Sequence, residues 1–159
     1  MANKRRKARE AALQILYMLE RGQPQKETEA IVRYWEHDWV VESDCHLCKE
    51  ECKDRNKPKS RFSEPVNRQA ESAFTKQLVD GVRKNSVNID QEISRHSHNW
   101  KLNRMSFIDR NILRIAIFEI LSCDEIPLKV SINEAIEIAK TYGDKNSAPF
   151  INGILDQIR

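Results

Sequence analysis

The sequence predicts an all-α protein, a compact bundle of about seven helices in a single domain spanning residues 1–159. Apolar residues recur at intervals of three and four, which is typical of helices that turn one face toward a core. No segment alternates apolar and polar residues as a half-buried strand does. Hydrophobic residues make up 40% of the chain, which is enough for a sizeable core.

The predicted first helix ends at Gly22 and carries two apolar flanks. Leu13 and Tyr17 lie off the centre of its main stripe and form a smaller flank. That flank fits a wide core face and a surface for a partner equally well. Residues 27–40 have the pattern of a second helix. The main stripe of the first helix consists of Ala8, Ala12, Ile15, Leu16 and Leu19.

Residues 42–64 interrupt this patterning and are predicted to be an inserted polar loop. The loop contains Cys45, Cys48 and Cys52, and the first two have the spacing of a zinc half-site. The residues available as a fourth ligand are His37, His46 and Cys123. A strong zinc site normally shows two such pairs, so the sequence favours a solvated loop with reduced thiols and no cofactor.

Helical patterning resumes after the insert and continues to the end of the chain. One helix is predicted over 66–82 and a shorter one around Ile89. The segment 106–121 is apolar on almost every side, which predicts a central buried helix. Within it Arg114 and Glu119 need charged partners if they are buried, because unpaired buried charge is costly.

Two further helices are predicted beyond Pro127. Ser131 followed by Glu134 has the spacing of an N-terminal capping box for the first of them. Gly143 is expected to end that helix, and Ser147, with a proline two positions later, is expected to open the last one.

The positive charge of the chain is concentrated at its start. There are 27 lysines and arginines against 24 aspartates and glutamates, a net charge of +3. Cations crowd the first predicted turn, where they repel the helix dipole and one another. This predicts a defined anionic partner, with phosphate as the leading candidate. The cations concerned are Lys4, Arg5, Arg6, Lys7 and Arg9.

Two classes of protein are excluded by what the sequence lacks. It has no run of about eighteen apolar residues and no signal-peptide segment, so a soluble cytoplasmic protein with no membrane partner is expected. It has no glycine-rich phosphate loop, nucleophile elbow or zinc-protease motif. The Ser97 hydroxyl between His96 and His98 fits a solvated turn better than a nucleophile with its base. The sequence therefore predicts a protein that is not an enzyme.

An aromatic residue marks a second candidate binding position near the end of the chain. Phe150 lies in the first turn of the last predicted helix, after a polar loop that contains Asn146 and Ser147. An aromatic ring beside free backbone N–H groups suits the stacking of a single-stranded base. A place in the core is the simpler interpretation of the same residue.

Four segments resemble the bacterial transcription antitermination factors of the NusB family. They are "RRKAREAALQILY" at 5–17, "DRNILRIAIFEIL" at 109–121, "PLKVSINEAIEIAKTYG" at 127–143 and "FINGILD" at 150–156. The resemblance implies an all-helical protein that pairs with the ribosomal protein NusE. It implies that the pair binds the boxA element of nascent single-stranded ribosomal RNA transcripts, and so helps RNA polymerase to pass terminators.

The resemblance also implies roles for particular residues. Positions in the arginine-rich motif and around the F-x-N-G motif imply RNA contacts by Arg5, Arg6, Lys7, Arg9, Asn146, Ser147 and Phe150. Tyr17 and Asp109 occupy positions that face NusE, with Leu13 beside Tyr17. The family pattern does not cover 42–64, and many relatives carry an acidic residue at the position of Asn146.

Two other functions stay open at the level of sequence. The same helical fold occurs as an RNA-binding accessory domain of enzymes that modify ribosomal RNA, although this chain has no methyltransferase cofactor loop. A helical interaction module without RNA binding is the other alternative, and it leaves the joint set of motifs unexplained.

Overall fold

The computed structural model describes residues 2–22, 65–98 and 100–158, and every regular element within these ranges is helical. This confirms the predicted all-α class. The predicted helix at 27–40 and the insert at 42–64 lie outside the described residues, together with His37, Cys45, Cys48 and Cys52. The described α-helices are α1 (Ala2–Glu20), α2 (Pro65–Lys84), α3 (Ser86–His96), α4 (Phe107–Ser122), α5 (Leu128–Tyr142) and α6 (Ser147–Leu155). A turn of 3-10 helix, Leu102–Arg104, lies between α3 and α4.

Helix α4 is the centre of the bundle and contacts each of the other five described α-helices. Most of its residues between Asn111 and Glu119 are buried, as its nearly continuous apolar sequence predicts. Each fully buried leucine or isoleucine contributes roughly 1.5–3 kcal/mol of transfer free energy. Its fully buried aliphatic side chains are Ile112, Leu113 and Ile117. The prediction of a central buried helix is confirmed.

Gly81 of α2 lies directly against the Phe118 ring of α4. A Cβ atom placed on Gly81 of α2 lies only 2.0 Å from the Cζ of Phe118 on α4. Any larger residue at this position therefore displaces the Phe118 ring, which is itself buried. The absence of a side chain at Gly81 leaves room for the Phe118 ring of α4 to pack against α2.

The charged side chains of α4 have the partners that the sequence requires. Arg114 donates two hydrogen bonds to Asp90 of α3, at 2.7 and 2.8 Å, and also contacts Glu20 at the end of α1. Glu20 additionally accepts from Arg110 at 3.2 Å and from Asn111 at 2.8 Å. The network ties the end of α1 and the first turns of α3 to the centre of the bundle.

The predicted capping box at Ser131 and Glu134 is wrong. Helix α5 begins at Leu128 with Pro127 as its N-cap, so both residues lie inside the helix, and both are buried. The carbonyl of Pro127 accepts a hydrogen bond from the Val130 N–H at 2.8 Å and closes the first turn. Because proline fixes φ near its helical value and has no N–H to lose, it starts this helix without a side-chain cap.

The other predicted helix boundaries agree with the structure. Gly22 follows α1 with a left-handed φ of 75°, and Gly143 caps the end of α5. Helix α6 opens at Ser147, whose Oγ accepts from the Asp144 N–H at 2.9 Å. None of the helices in the described ranges has the length and apolar character needed to cross a membrane.

Candidate nucleic-acid interface

Arg9, one of the cations in the predicted RNA-binding turn, lies inside the bundle. Its side chain is 3% exposed. Its Nε donates to Oε1 of Glu119 at 2.6 Å and its Nη2 donates to Oε2 at 3.0 Å. Glu119 is equally buried and also accepts from the Ser131 hydroxyl at 2.8 Å. Arg9 therefore meets an internal carboxylate and does not reach a surface in this structure.

Arg6 lies one turn earlier and pairs with a carboxylate nearer the surface. Its Nε and Nη2 donate to the two oxygens of Glu134 at 2.9 and 2.8 Å, and its side chain stays 38% exposed. The hydrogen bonds from Arg6 to Glu134 raise the pKa of Arg6 above its usual value. Oε2 of Glu134 also lies 3.6 Å from Nη1 of Arg9, so this carboxylate forms ion pairs with both arginines. Arg6 remains open to a phosphate on its exposed side.

Arg5 is the exposed arginine of this turn, and an aromatic ring holds it in place. Its guanidinium lies 5.6 Å from the ring centroid of Phe74 on α2, and Arg9 lies at the same distance from that ring. Such cation–π contacts orient an arginine without using its hydrogen-bond donors. Lys4 belongs to the same turn, and Lys7 is half-buried. The cations of this turn therefore range from exposed to fully buried.

A cleft of about 400 Å³ lies between the 3-10 helix and the start of α6. Phe150 and Trp100 meet there edge to face, with ring centroids 5.6 Å apart and planes at 69°. Phe150 is half-buried and packs against the core, whereas Trp100 is 55% exposed. Sequence reasoning missed Trp100, because it lies in a non-periodic segment far from Phe150 in sequence. The lining of the cleft includes Trp100, Arg104, Asp109, Asn146, Ser147 and Phe150.

The structure brings Asp109 to this cleft, beside residues expected to face RNA. Its backbone N–H donates to the N-cap hydroxyl of Ser106 at 3.0 Å, which places it in the first turn of α4. Its side chain is buried, and its Oδ1 has no hydrogen-bond partner among the described residues. Ser147 is buried and caps the preceding loop, whereas Asn146 is exposed. Asp109 therefore lines the same cleft as Phe150.

The flank predicted at Leu13 and Tyr17 divides between the core and the surface. Leu13 is 2% exposed and belongs to the core. Tyr17 is partly exposed and meets Phe107 of α4 edge to face, with centroids 6.2 Å apart. Arg110 lies 4.9 Å from the Phe107 centroid, and Arg21 lies 5.9 Å from it. Tyr17, Phe107, Arg21 and Arg110 form what we call the aromatic–arginine patch.

A metal site finds no support in the residues that the structure describes. Within them no group of three or more histidine, cysteine, aspartate or glutamate side chains is arranged to hold a metal ion. Cys123 is buried in the core, and burial raises the pKa of its thiol to about 11. Cys123 is therefore enclosed by apolar side chains and packs as a small core residue.

Comparisons with known proteins agree with this architecture. The transcription antitermination protein NusB of Myxococcus xanthus is 42% identical over 154 residues, which are 97% of this chain and 93% of that protein. Its counterpart from Anaeromyxobacter dehalogenans is 36% identical over 158 residues, covering 99% and 92% of the two chains. The crystal structure of T. maritima NusB has a TM-score of 0.70 at 32% identity, over 97% of this chain and 89% of that one.

A chain from a structure titled as a plectonemic RNA supercoil shares the fold, with a TM-score of 0.66 at 24% identity. The sequence model described as the NusB family matches residues 6–159. A transcription antitermination protein is a regulatory factor and not a catalyst, so the predicted non-catalytic role is confirmed. The family model covers nearly the whole chain, the relatives align over most of both lengths, and the described helices form the same fold. The chain therefore belongs to the NusB family of transcription antitermination proteins.

Proposed function

We propose that this protein binds single-stranded boxA RNA of nascent ribosomal transcripts together with the ribosomal protein NusE. In that complex it acts indirectly on the RNA polymerase elongation complex. The main support for RNA binding comes from the first turn of α1, where Arg5 is exposed and Arg6 is partly exposed. Both guanidinium groups are oriented by contacts on one side, which leaves the other side for phosphate oxygens.

The aromatic–arginine patch is our candidate for the contact with NusE. Tyrosine and arginine dominate the energetics of protein–protein interfaces, because they combine apolar area with hydrogen-bond donors. Phe107 is 38% exposed and sits between Tyr17 and Arg110, so an apolar centre is flanked by polar groups. This composition suits a protein partner better than a phosphate backbone, which needs cations in the centre of the contact.

Purified full-length protein tests the proposal in two measurements. The first is the anisotropy of a labelled boxA RNA, beside a scrambled RNA of the same composition, with and without NusE. The second is capture of NusE by the immobilised protein. We expect NusE to be captured and to strengthen the preference for boxA over the scrambled RNA. Equal binding of both RNAs, with no capture of NusE, would contradict the proposal.

A further inference from the structure

One edge of the Arg6 guanidinium is occupied by a carboxylate of the same chain. Its Nε and Nη2 donate to the two oxygens of Glu134 on α5, at 2.9 and 2.8 Å. A guanidinium edge with two parallel N–H groups binds a carboxylate and a phosphate in the same way. Glu134 therefore occupies donors that a phosphate would also use, although the Arg6 side chain stays 38% exposed.

The cluster around this pair has no net charge. Arg6 and Arg9 supply two cations, and Glu119 and Glu134 supply two anions. A balanced set of charges presents only a weak field to an approaching phosphate. A phosphate near Arg6 is also repelled by the charge of Glu134. Removal of that one negative charge leaves the cluster with an excess of one positive charge.

Glu134 has a second cation available if Arg6 turns away. Its Oε2 accepts from Nε of Arg6 and also lies 3.6 Å from Nη1 of Arg9. Arg9 is held separately by its two hydrogen bonds to Glu119. The Glu134 side chain is only 10% exposed, and a carboxylate at such a position without any cation is costly. Because Arg9 remains, Arg6 can exchange Glu134 for a phosphate without leaving that carboxylate unpaired.

Glu134 is the carboxylate that acts on Arg6 most directly. The hydrogen bonds from Arg6 to Glu134 raise the pKa of Arg6, and the charges of Glu137 and Glu10 raise it further. Glu137 accepts a hydrogen bond from Lys140 at 2.7 Å on the exposed face of α5. Competition for Arg6 is therefore best tested at Glu134.

We propose that Glu134 competes with RNA phosphate for Arg6 and thereby limits the affinity of the protein for RNA. In the free protein Glu134 holds Arg6, and on binding Arg6 transfers hydrogen bonds from Glu134 to a phosphate. The inference rests on the proposed RNA binding and deepens it, because it assigns to a residue of α5 an effect on a cation of α1. Phosphate contacts carry no sequence information, so the competition acts on different single-stranded RNAs alike.

The test compares Glu134→Gln with wild type in the binding of labelled boxA RNA and of the scrambled RNA to the full-length protein. Glutamine keeps the size of the side chain and one acceptor oxygen, but it has no charge, and its amide N–H groups face donors of Arg6. The affinity should rise by roughly 3- to 20-fold, the gain that follows when one charged contact loses its internal competitor. The factor should be the same for both RNAs.

Two controls assign the gain to Arg6. Glu92→Gln removes the same charge from α3, where Glu92 pairs with Arg95, and should leave the affinity for RNA nearly unchanged. In protein that carries Arg6→Gln, the gain from Glu134→Gln should disappear, because the cation under competition is absent.

A second substitution at the same position covers the case in which Glu134→Gln does not fold. Glu134→Asp keeps a carboxylate but withdraws it by one methylene from Arg6. It should also raise the affinity, by less than Glu134→Gln, because the charge remains. Denaturant unfolding of each variant shows which of them are folded.

The outcomes separate the inference from the proposed function. An affinity that is unchanged or lower in the folded Glu134 variants overturns the inference alone, and a lower value would mean that Glu134 positions Arg6 for RNA. A gain that persists with Arg6→Gln, or that Glu92→Gln reproduces, also overturns it, because net charge alone would then explain the gain. Wild-type protein that binds neither RNA overturns both.

Discussion

Arg9 of α1 and Glu119 of α4 form a buried ion pair with two hydrogen bonds, at 2.6 and 3.0 Å. The pair joins residues 110 positions apart in the sequence and fixes the cationic end of α1 against the centre of the bundle. Arg6 repeats the arrangement with Glu134 nearer the surface. Two of the cations that crowd the start of α1 are therefore compensated by carboxylates of the protein itself, and Arg5 is the arginine of this turn that faces solvent.

Breaking the Arg9–Glu119 pair should destabilise the protein strongly. Arg9→Met leaves the Glu119 carboxylate buried without its cation, which costs about 3–5 kcal/mol of unfolding free energy. Denaturant unfolding measures this loss. Arg95→Met is the matched control, since Arg95 pairs with Glu92 on the exposed face of α3, and about 0–1 kcal/mol is expected. Equal effects of the two substitutions would show that burial of the pair is unimportant.

Salt dependence should identify the cations that meet RNA. Each phosphate contact with a single strand contributes about −0.7 to the slope of log K against log salt. Replacing Arg5, Arg6 and Lys7 with Gln should flatten the slope by roughly 2 while the fold persists. A variant with Lys76, Arg95 and Lys140 replaced by Gln removes the same charge from three other helices and should leave the slope nearly unchanged. The same flattening in both variants would indicate a response to net charge alone.

Substitutions at Tyr17 and Leu13 should affect different properties, although the two residues lie only four positions apart. The first should affect NusE binding and the second stability. Tyr17→Ala is expected to weaken capture of NusE by roughly 30-fold, the loss that about 2 kcal/mol at an interface produces. Leu13→Ala should instead lower the unfolding free energy by about 2–5 kcal/mol, because Leu13 is buried in the core. Calorimetry of NusE binding and denaturant unfolding, both applied to each variant, distinguish these outcomes. If Tyr17→Ala lowers the unfolding free energy but leaves the affinity for NusE unchanged, Tyr17 belongs to the core.

Acid should destabilise the protein through Glu20. Burial by itself raises the pKa of Glu20, but hydrogen bonds from Arg114 and Asn111 outweigh it and hold that pKa below the ordinary value of 4.5. The unfolded chain then binds the proton more readily, so the contribution of Glu20 is present above pH 4.5 and is lost as the pH falls through its folded pKa. Unfolding midpoints between neutral and acid pH should vary less in Glu20→Gln than in wild type. A hydrogen bond from Lys140 also lowers the pKa of Glu137 on α5, but this carboxylate is exposed and screened by solvent, so Glu137→Gln should change the pH dependence less than Glu20→Gln does.

The cysteine insert is expected to hold no zinc. Elemental analysis of the purified protein should give far less than one equivalent of zinc in wild type and in Cys45→Ser/Cys48→Ser alike. The helical fold and RNA binding should survive the double substitution, because the motifs that predict them lie outside residues 42–64. Near-stoichiometric zinc in wild type that disappears in the variant would establish a site instead.

Local patterns in the sequence were sufficient to predict the helices of the described ranges and to indicate the family. Periodicity of 3.6 residues sets which positions of each helix share a face, and this reasoning located α4 as the central buried helix. It also predicted that Arg114 and Glu119 require partners, because the cost of an unpaired buried charge does not depend on the fold. The collinear motifs indicated the family, and the match over residues 6–159 confirms it.

Which of these side chains are exposed and which are buried depends on how the helices pack against one another. The pattern of one helix cannot specify where a neighbouring helix lies. The sequence therefore predicted the same environment for Leu13 and Tyr17, although Leu13 is buried and Tyr17 contacts Phe107. It also gave no sign that Trp100 packs against Phe150. For the same reason the sequence predicted Ser131 as a helix cap, whereas its hydroxyl donates a hydrogen bond to Glu119 of another helix. Hydrogen bonds and stacking act over a few ångströms, so they depend on how distant segments pack, and that packing is a property of the whole bundle.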